Sequence, residues 1–313
     1  MNIIYRIVHF FFKLLSRLPF KALYVLSDII YPLVYYVVGY RKRLVRKHLE
    51  TSFPEKSKDE LRDIERGFYH FLCDYFMETI KLLTITREEL LRRVEYRGVE
   101  DIEKCFDEGQ SCALILGHYC NWEYLIKVGL AFQRHPDAII GVIYHPLKSE
   151  VFDRLFIELR EHLCGICVPK NETLRYLVNY RREGKLSLFG YVSDQTPKWN
   201  NIHLWLPFLG HDTPVFTNGE KLMKKMNNAI FYVDFYRPRR GYYIIDLQLL
   251  TRTPNELEEH AVTKLFFKRL EESIRREPKY YLWTHNRWKR THEEFDRRFK
   301  VVNGKVIPRE KNS

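Results

Sequence analysis

The chain has no internal repeat, no low-complexity tract and no Pro/Gly/Ser-rich linker. Nothing marks a flexible joint between separately folded parts. Its six cysteines (Cys73, Cys105, Cys112, Cys120, Cys164 and Cys167) are scattered and mostly embedded in apolar runs. That pattern excludes a disulfide framework and points to buried thiols in a reducing compartment. Cys164-Gly-Ile-Cys167 has redox or half-zinc spacing, but no second ligand pair lies nearby with metal-like spacing. A redox pair would favour a helix N-terminus, whereas this one leads into a strand. No metal and no cofactor are expected. Acidic residues are also in short supply, 40 against 52 basic ones, for a net charge of +12. That excess asks for an anionic partner. Basic clusters lie at 221–225, 237–240, 268–276 and 287–300 without zinc-finger spacing or an RNA-recognition motif, so nucleic acid is not the expected partner. At 45% hydrophobic and 15% aromatic, the chain of 313 residues is rich enough in apolar side chains to exclude disorder and to build a sizeable core.

The N-terminus has the character of a membrane segment. Residues 1–21 mix apolar side chains with Arg6, Lys13, Arg17 and Lys21, as in an amphipathic helix lying in an interface. Residues 22–40 contain one charge, Asp28, and one proline, Pro32. Nineteen residues of helix just suffice to cross a bilayer core, although the aspartate and the proline both count against a span. Arg41, Lys42, Arg43, Arg46 and Lys47 follow and would stay on the cytoplasmic side. The basic residues come after the apolar stretch and no small-residue cleavage site is evident, which argues against a removed signal peptide. The expected organisation is an anchor over residues 1–40 and one catalytic domain over residues 41–313.

Helical spacing continues from Asp59 to Leu83, with Ile64, Phe68, Phe71, Leu72 and Tyr75 three or four residues apart. After Glu95 short apolar runs alternate with helical segments. Strands are expected at 112–116, 138–144, 185–192 and 229–235, with helices at 121–134, 149–163, 171–183 and 218–228. Residues 241–249 form a further strand, paired with 229–237 through the turn at 237–241. A last amphipathic helix spans 255–276. The fold class is α/β, a single domain with a mixed, largely parallel sheet flanked by helices, plus the N-terminal membrane-associated helix.

The stretch Leu114-Ile115-Leu116-Gly117-His118-Tyr119-Cys120-Asn121-Trp122-Glu123 carries the chemistry. A buried strand ends at a glycine, a histidine follows at once, and a carboxylate comes five residues later. Histidine titrates near neutral pH, and a carboxylate on its second ring nitrogen fixes the tautomer of a general base. On a regular helix the two side chains would not face each other, so the pair needs a strand-to-helix corner. Such a corner at a carboxyl strand end is where an open α/β sheet presents its crevice. Asp194-Gln195 stands at a second strand end of this kind. Cys120 is poorly placed to use the His118 imidazole as a nucleophile's base.

Gly117-His118-Tyr119-Cys120-Asn121-Trp122-Glu123 resembles the H-x4-D/E motif of the glycerolipid-type acyltransferases. The chain is most similar to the bacterial lipid A late acyltransferases (lauroyl/myristoyl transferases). The likeness runs along most of its length: an apolar N-terminal anchor, then His48-Leu49-Glu50-Thr51-Ser52-Phe53-Pro54, a helix bearing Glu78, the Gly-His corner, Tyr144-His145-Pro146, Asp194-Gln195, a Pro-Phe-Leu-Gly turn at 207–210, and Thr213 to Gly219 leading into a helix. The resemblance implies an acyl-carrier-protein-dependent O-acyltransferase on the cytoplasmic face of the inner membrane. It would place a secondary acyl chain on a lipid A precursor, or on another membrane lipid such as an aminolipid or a lysophospholipid. A non-catalytic protein binding anionic lipid through its basic face is the rival from another class. In the catalytic reading His118 is the base and Glu123 orients it and stabilises the imidazolium. Backbone N–H groups near Asn121, or Arg154 or Arg160, would serve the oxyanion. Asp194 and Gln195 would line the substrate pocket. One departure stands out: the family's arginine before proline is His145 here, which leaves the acceptor open.

Overall fold

The computed structural model describes residues 3–302 and 304–309, so the outer ends of the anchor and domain expected above (1–2 and 310–313) lie outside the described residues. In chain order the helices and strands are α1 (Ile3–Ser16), α2 (Phe20–Pro32), α3 (Lys42–Ser52), α4 (Lys58–Lys81), α5 (Arg87–Arg93), β1 (Val94–Arg97), α6 (Val99–Asp107), β2 (Cys112–Leu116), β3 (Ile139–Tyr144), α7 (Glu150–Glu161), β4 (Ile166–Pro169), α8 (Thr173–Arg182), β5 (Ser187–Val192), β6 (Trp205–Phe208), β7 (His211–Pro214), α9 (Asn218–Met226), β8 (Ala229–Arg239), β9 (Tyr242–Thr251), α10 (Ala261–Arg276), α11 (His292–Arg298), β10 (Phe299–Val302) and β11 (Lys305–Pro308). A π-helical turn, Leu33–Val38, prolongs α2 past Pro32, and a 3₁₀ segment, Trp122–Ala131, follows the Gly-His corner.

Seven strands form one sheet in the order β1-β9-β8-β2-β5-β3-β4. The five strands β8, β2, β5, β3 and β4 are parallel, β8 and β9 make an antiparallel hairpin, and β1 joins β9 in parallel. This is the mixed, largely parallel sheet that the alternating pattern implies. β2, with all five residues buried, lies between β8 and β5, and a continuous apolar run is what a strand covered on both faces requires. α4 starts at a full capping box, Ser57 with Glu60, and its C-terminal half is almost wholly buried.

Three local readings change, the first being the last helix, expected over 255–276, which begins at Ala261 after a 3₁₀ turn over Pro254–Glu256. The hairpin is tighter than expected, with β8 running to Arg239 and Gly241 taking φ +77° in the turn. The segment expected as a helix over 121–134 is a 3₁₀ helix over Trp122–Ala131. Residues 123–128 are all buried, so no amphipathic stripe exists from which a helical period could be read.

Candidate active site

The site is built by strand adjacency. β2 and β5 pair in parallel with Leu116 opposite Val192, and the Ser193 N–H donates to the Leu116 carbonyl at 3.0 Å. Carrying that register two residues further brings His118 and Asp194 side by side at the carboxyl end of the sheet. His118 Nδ1 donates to Asp194 Oδ1 at 2.6 Å. Gly117 makes the approach possible: a Cβ there would lie 3.4 Å from Asp194 Cγ and 2.8 Å from both Leu270 methyls. With its proton on Nδ1, His118 turns the lone pair of Nε2 toward the crevice, where the Gln195 amide nitrogen sits at 3.2 Å. The His118 ring packs edge-on against Trp122, with centroids 4.9 Å apart.

Asp194 is only 2% exposed. Burial by itself would raise its carboxyl pKa, but the charge and hydrogen bonds of His118, helped by the Arg287 guanidinium, outweigh that and hold it below the ordinary carboxylate value. The imidazole therefore faces a standing negative charge on one side and the Gln195 amide on the other.

The corner itself is stitched to the segment that follows α10. Leu282 N–H donates to the His118 carbonyl at 3.1 Å, and Cys120 N–H donates to the Tyr280 carbonyl at 2.9 Å. Tyr119 bridges to Tyr281. Cys120 takes a left-handed φ of +57° and is fully buried. Burial pushes its thiol up to about 12, which leaves it protonated and unreactive.

The expected contact of His118 with Glu123 is replaced. Asp194 holds Nδ1, while Glu123 accepts a bidentate pair from Arg160, with Nε at 2.7 Å and Nη2 at 2.6 Å, plus the Tyr75 hydroxyl at 3.3 Å. Burial would raise the Glu123 carboxyl pKa; Arg160 more than compensates and it lies lower than usual. The physical reason is the corner: after the left-handed Cys120 the chain enters a 3₁₀ turn that directs Glu123 toward α7 rather than toward the crevice. Arg160 is thereby committed to Glu123. Asn121 is fully buried and donates to Glu78 Oε2 at 2.8 Å, so its side chain faces the interior. Glu78 also accepts from Tyr24 and Tyr243. Arg154 lies 5.9 Å from the Tyr5 ring, where α1 meets α7. The exposed His145 lies 3.1 Å from the neighbouring Pro146 carbonyl.

Sequence reasoning missed two groups behind Asp194, and it placed Arg287 in the basic cluster 287–300. Arg287 is 1% exposed. It donates to the Pro214 carbonyl at 2.7 Å and lies 3.4 Å from Thr196 Oγ1. Burial lowers its guanidinium to about 10. His285 accepts the Thr196 N–H on Nε2 at 3.3 Å, and burial lowers its imidazole to about 4, so it is neutral at physiological pH. Both groups brace the loop that carries Asp194 and Gln195. The available signal was an arginine and a histidine inside the aromatic run Tyr280-Tyr281-Leu282-Trp283-Thr284-His285-Asn286-Arg287-Trp288, since large aromatic side chains are mostly buried and draw the groups between them inward.

The Cys164/Cys167 pair leads into β4 as expected, although both thiols are only half-buried.

The model of the family described as bacterial lipid A biosynthesis acyltransferase matches residues 2–290. The lipid A biosynthesis lauroyltransferase of Escherichia coli (strain K12) is 23% identical over 284 residues, covering 88% of each chain. The lipid A biosynthesis palmitoleoyltransferase of the same organism is 21% identical over 277 residues, covering 87% of each. A lipid A biosynthesis acyltransferase of Haemophilus influenzae (strain ATCC 51907 / DSM 11121 / KW20 / Rd) is 19% identical over 280 residues, covering 88% of this chain and 84% of that protein.

Proposed function

The chain belongs to the bacterial lipid A biosynthesis acyltransferase family and is an acyltransferase; from that premise we propose that it moves a fatty acyl group from an acyl carrier protein thioester to a hydroxyl of a lipid A precursor. The work is done at the cytoplasmic face of the inner membrane, with residues 1–40 as the anchor. The relatives are named for lipid A biosynthesis, which supports the acceptor. The excess of basic residues suits both an acidic carrier protein and lipid phosphates.

The observation that carries the reading is the hydrogen bond of 2.6 Å between His118 and Asp194 at neighbouring strand ends. The acceptor hydroxyl takes the place of the Gln195 amide at Nε2. His118 removes its proton as the oxygen attacks the thioester carbonyl, and Asp194 stabilises the imidazolium that forms. When the tetrahedral intermediate collapses, His118 returns the proton to the departing thiolate. The N–H groups of Tyr119 and Cys120 are bonded to the Gly117 and Tyr280 carbonyls, so the oxyanion takes its donors from elsewhere in the crevice. Glu123 supports the site indirectly, fixing the start of the 3₁₀ segment through Arg160.

The test is acyl transfer by the purified full chain from acyl-loaded carrier protein to a lipid A precursor, followed by mass spectrometry of the lipid. Addition of one acyl ester supports the proposal. Unchanged precursor, with transfer to a lysophospholipid or an aminolipid instead, would reassign the acceptor.

A further inference from the structure

We infer that α2 does not cross the membrane: α1 and α2, with the π turn after it, lie flat in one leaflet of an anionic bilayer, and both ends of the pair stay on the same side. This rests on the membrane location proposed above and goes beyond it. The segment Phe20–Val38 has the length, 19 residues, and the mean hydropathy, 1.3, of a span. Its inner face does not. Tyr24 donates to Glu78 at 2.9 Å, Ser27 to Asp74 at 2.7 Å and Tyr35 to Glu65 at 2.9 Å. Asp28 pairs with Arg240 at 2.7 Å and with His70 at 2.8 Å. These bonds run from one end of the segment to the other and tie it along α4. A crossing pose would carry α4 into the hydrocarbon too, and α4 bears Asp59, Glu60, Arg62, Asp63, Glu65 and Arg66. The alternative, stripping α2 from α4, takes Asp28 away from Arg240 and His70 and carries its charge into the hydrocarbon. Either way ionised groups enter an apolar medium.

The outer face fits the in-plane pose. On α1, Ile7, Phe10, Phe11 and Leu14 are each more than half exposed, spaced as one side of a helix. Along α2 and its continuation, Val25, Ile29, Leu33 and Val37 repeat every fourth residue and are equally exposed. The charge around this face has one sign. Arg6, Arg17, Lys21, Arg41 and Arg43 are exposed, and the only acid before Glu50 is Asp28, which is neutralised by Arg240. An apolar ridge rimmed by cations is complementary to acyl chains beneath anionic headgroups. This pose also places the site close to the lipid surface. Tyr5, His9 and Lys13 of α1 grip Glu158 of α7, whose Arg160 two residues on holds Glu123.

Two cysteine variants test the pose, Arg6→Cys and Arg43→Cys, each in a Cys164→Ser/Cys167→Ser background that removes the half-buried thiols. Intact spheroplasts and inverted inner-membrane vesicles are treated with a membrane-impermeant maleimide. The flat pose predicts that both sites react from the same side. Reaction from opposite sides means that α2 spans and overturns the inference while leaving the membrane location intact. Recovery in the soluble fraction as a dimer, with both sites protected, means that a second copy covers the face and overturns both. Flotation of the purified chain with phosphatidylglycerol-rich vesicles should exceed that with phosphatidylcholine vesicles by at least about tenfold; equal binding refutes the anionic preference.

Discussion

Replacing Asp194 with asparagine distinguishes the roles of the two carboxylates near His118, the proposed base. The substitution keeps the size of the side chain and an oxygen able to accept from Nδ1, and it removes the negative charge. In the proposed transition state His118 becomes an imidazolium whose Nδ1 lies 2.6 Å from a carboxylate oxygen that is almost completely buried. Two unit charges separated by roughly 4 Å attract by about 4 kcal/mol at an effective dielectric constant near 20. Losing that raises the barrier by a similar amount, a drop of about 10³-fold in kcat; a serine-protease aspartate changed to asparagine loses about 10⁴. Because the attraction grows only as the proton moves, kcat should fall while KM changes little. Glu123→Gln should behave differently. It strips the charge that neutralises Arg160 and leaves a largely buried guanidinium without its counter-charge, costing up to about 3 kcal/mol of stability. Steady-state kinetics with acyl-loaded carrier protein, alongside thermal unfolding of each variant, distinguishes the two. If Asp194→Asn keeps activity within about threefold while a well-folded Glu123→Gln is inactive, the orienting carboxylate is Glu123 and the reasoning from geometry fails.

Further outcomes follow from the same structure. Cys120→Ala should retain activity within about twofold in the same assay, because the thiol is buried and protonated. Gly117→Ala should unfold at a lower temperature by the equivalent of about 1–3 kcal/mol, since the new methyl meets Leu270 at 2.8 Å. His48 is 4% exposed, donates to the Trp283 carbonyl, and burial lowers its pKa to about 4. Between the ordinary histidine value and about 4 the unfolded chain therefore binds a proton that the folded chain does not. Stability is full above about pH 6.5 and declines as pH falls toward 4, with a limiting slope of about 1.4 kcal/mol per pH unit from this residue. His285, lowered to about 4 in the same way, adds a like contribution, so His48→Gln should reduce the slope seen in thermal melts across that range by about half. Glu78→Gln should lower the melting temperature without changing the partition of kcat and KM, because Glu78 ties Tyr24, Asn121 and Tyr243 together behind the site.

The two strand ends that carry the site were legible as apolar runs closing on Gly117-His118 and on Asp194-Gln195, and the parallel sheet followed from their alternation with helices. Their pairing was not legible. His118 and Asp194 are 76 residues apart, and only the knowledge that β2 lies beside β5 makes them neighbours. Local spacing offered Glu123 instead, five residues on, and nothing local reveals that Arg160, a further 37 residues away, takes that carboxylate. The same limit hid Arg287 and His285. In sequence they belong to a basic, aromatic tail; in the fold that tail turns inward after α10 and becomes the wall behind Asp194. The 3₁₀ form of Trp122–Ala131 escaped notice because its central residues are buried on every side, which erases the periodicity that separates helix types.

The central claim is that His118 is the base for acyl transfer. The most direct measurement is the rate at which purified His118→Ala transfers an acyl group from loaded carrier protein to the lipid A precursor, read by mass spectrometry beside a circular dichroism melt. The account predicts a fall of about 10³-fold or more with an unchanged melt. A folded His118→Ala protein that still forms the ester at near the parental rate would contradict it.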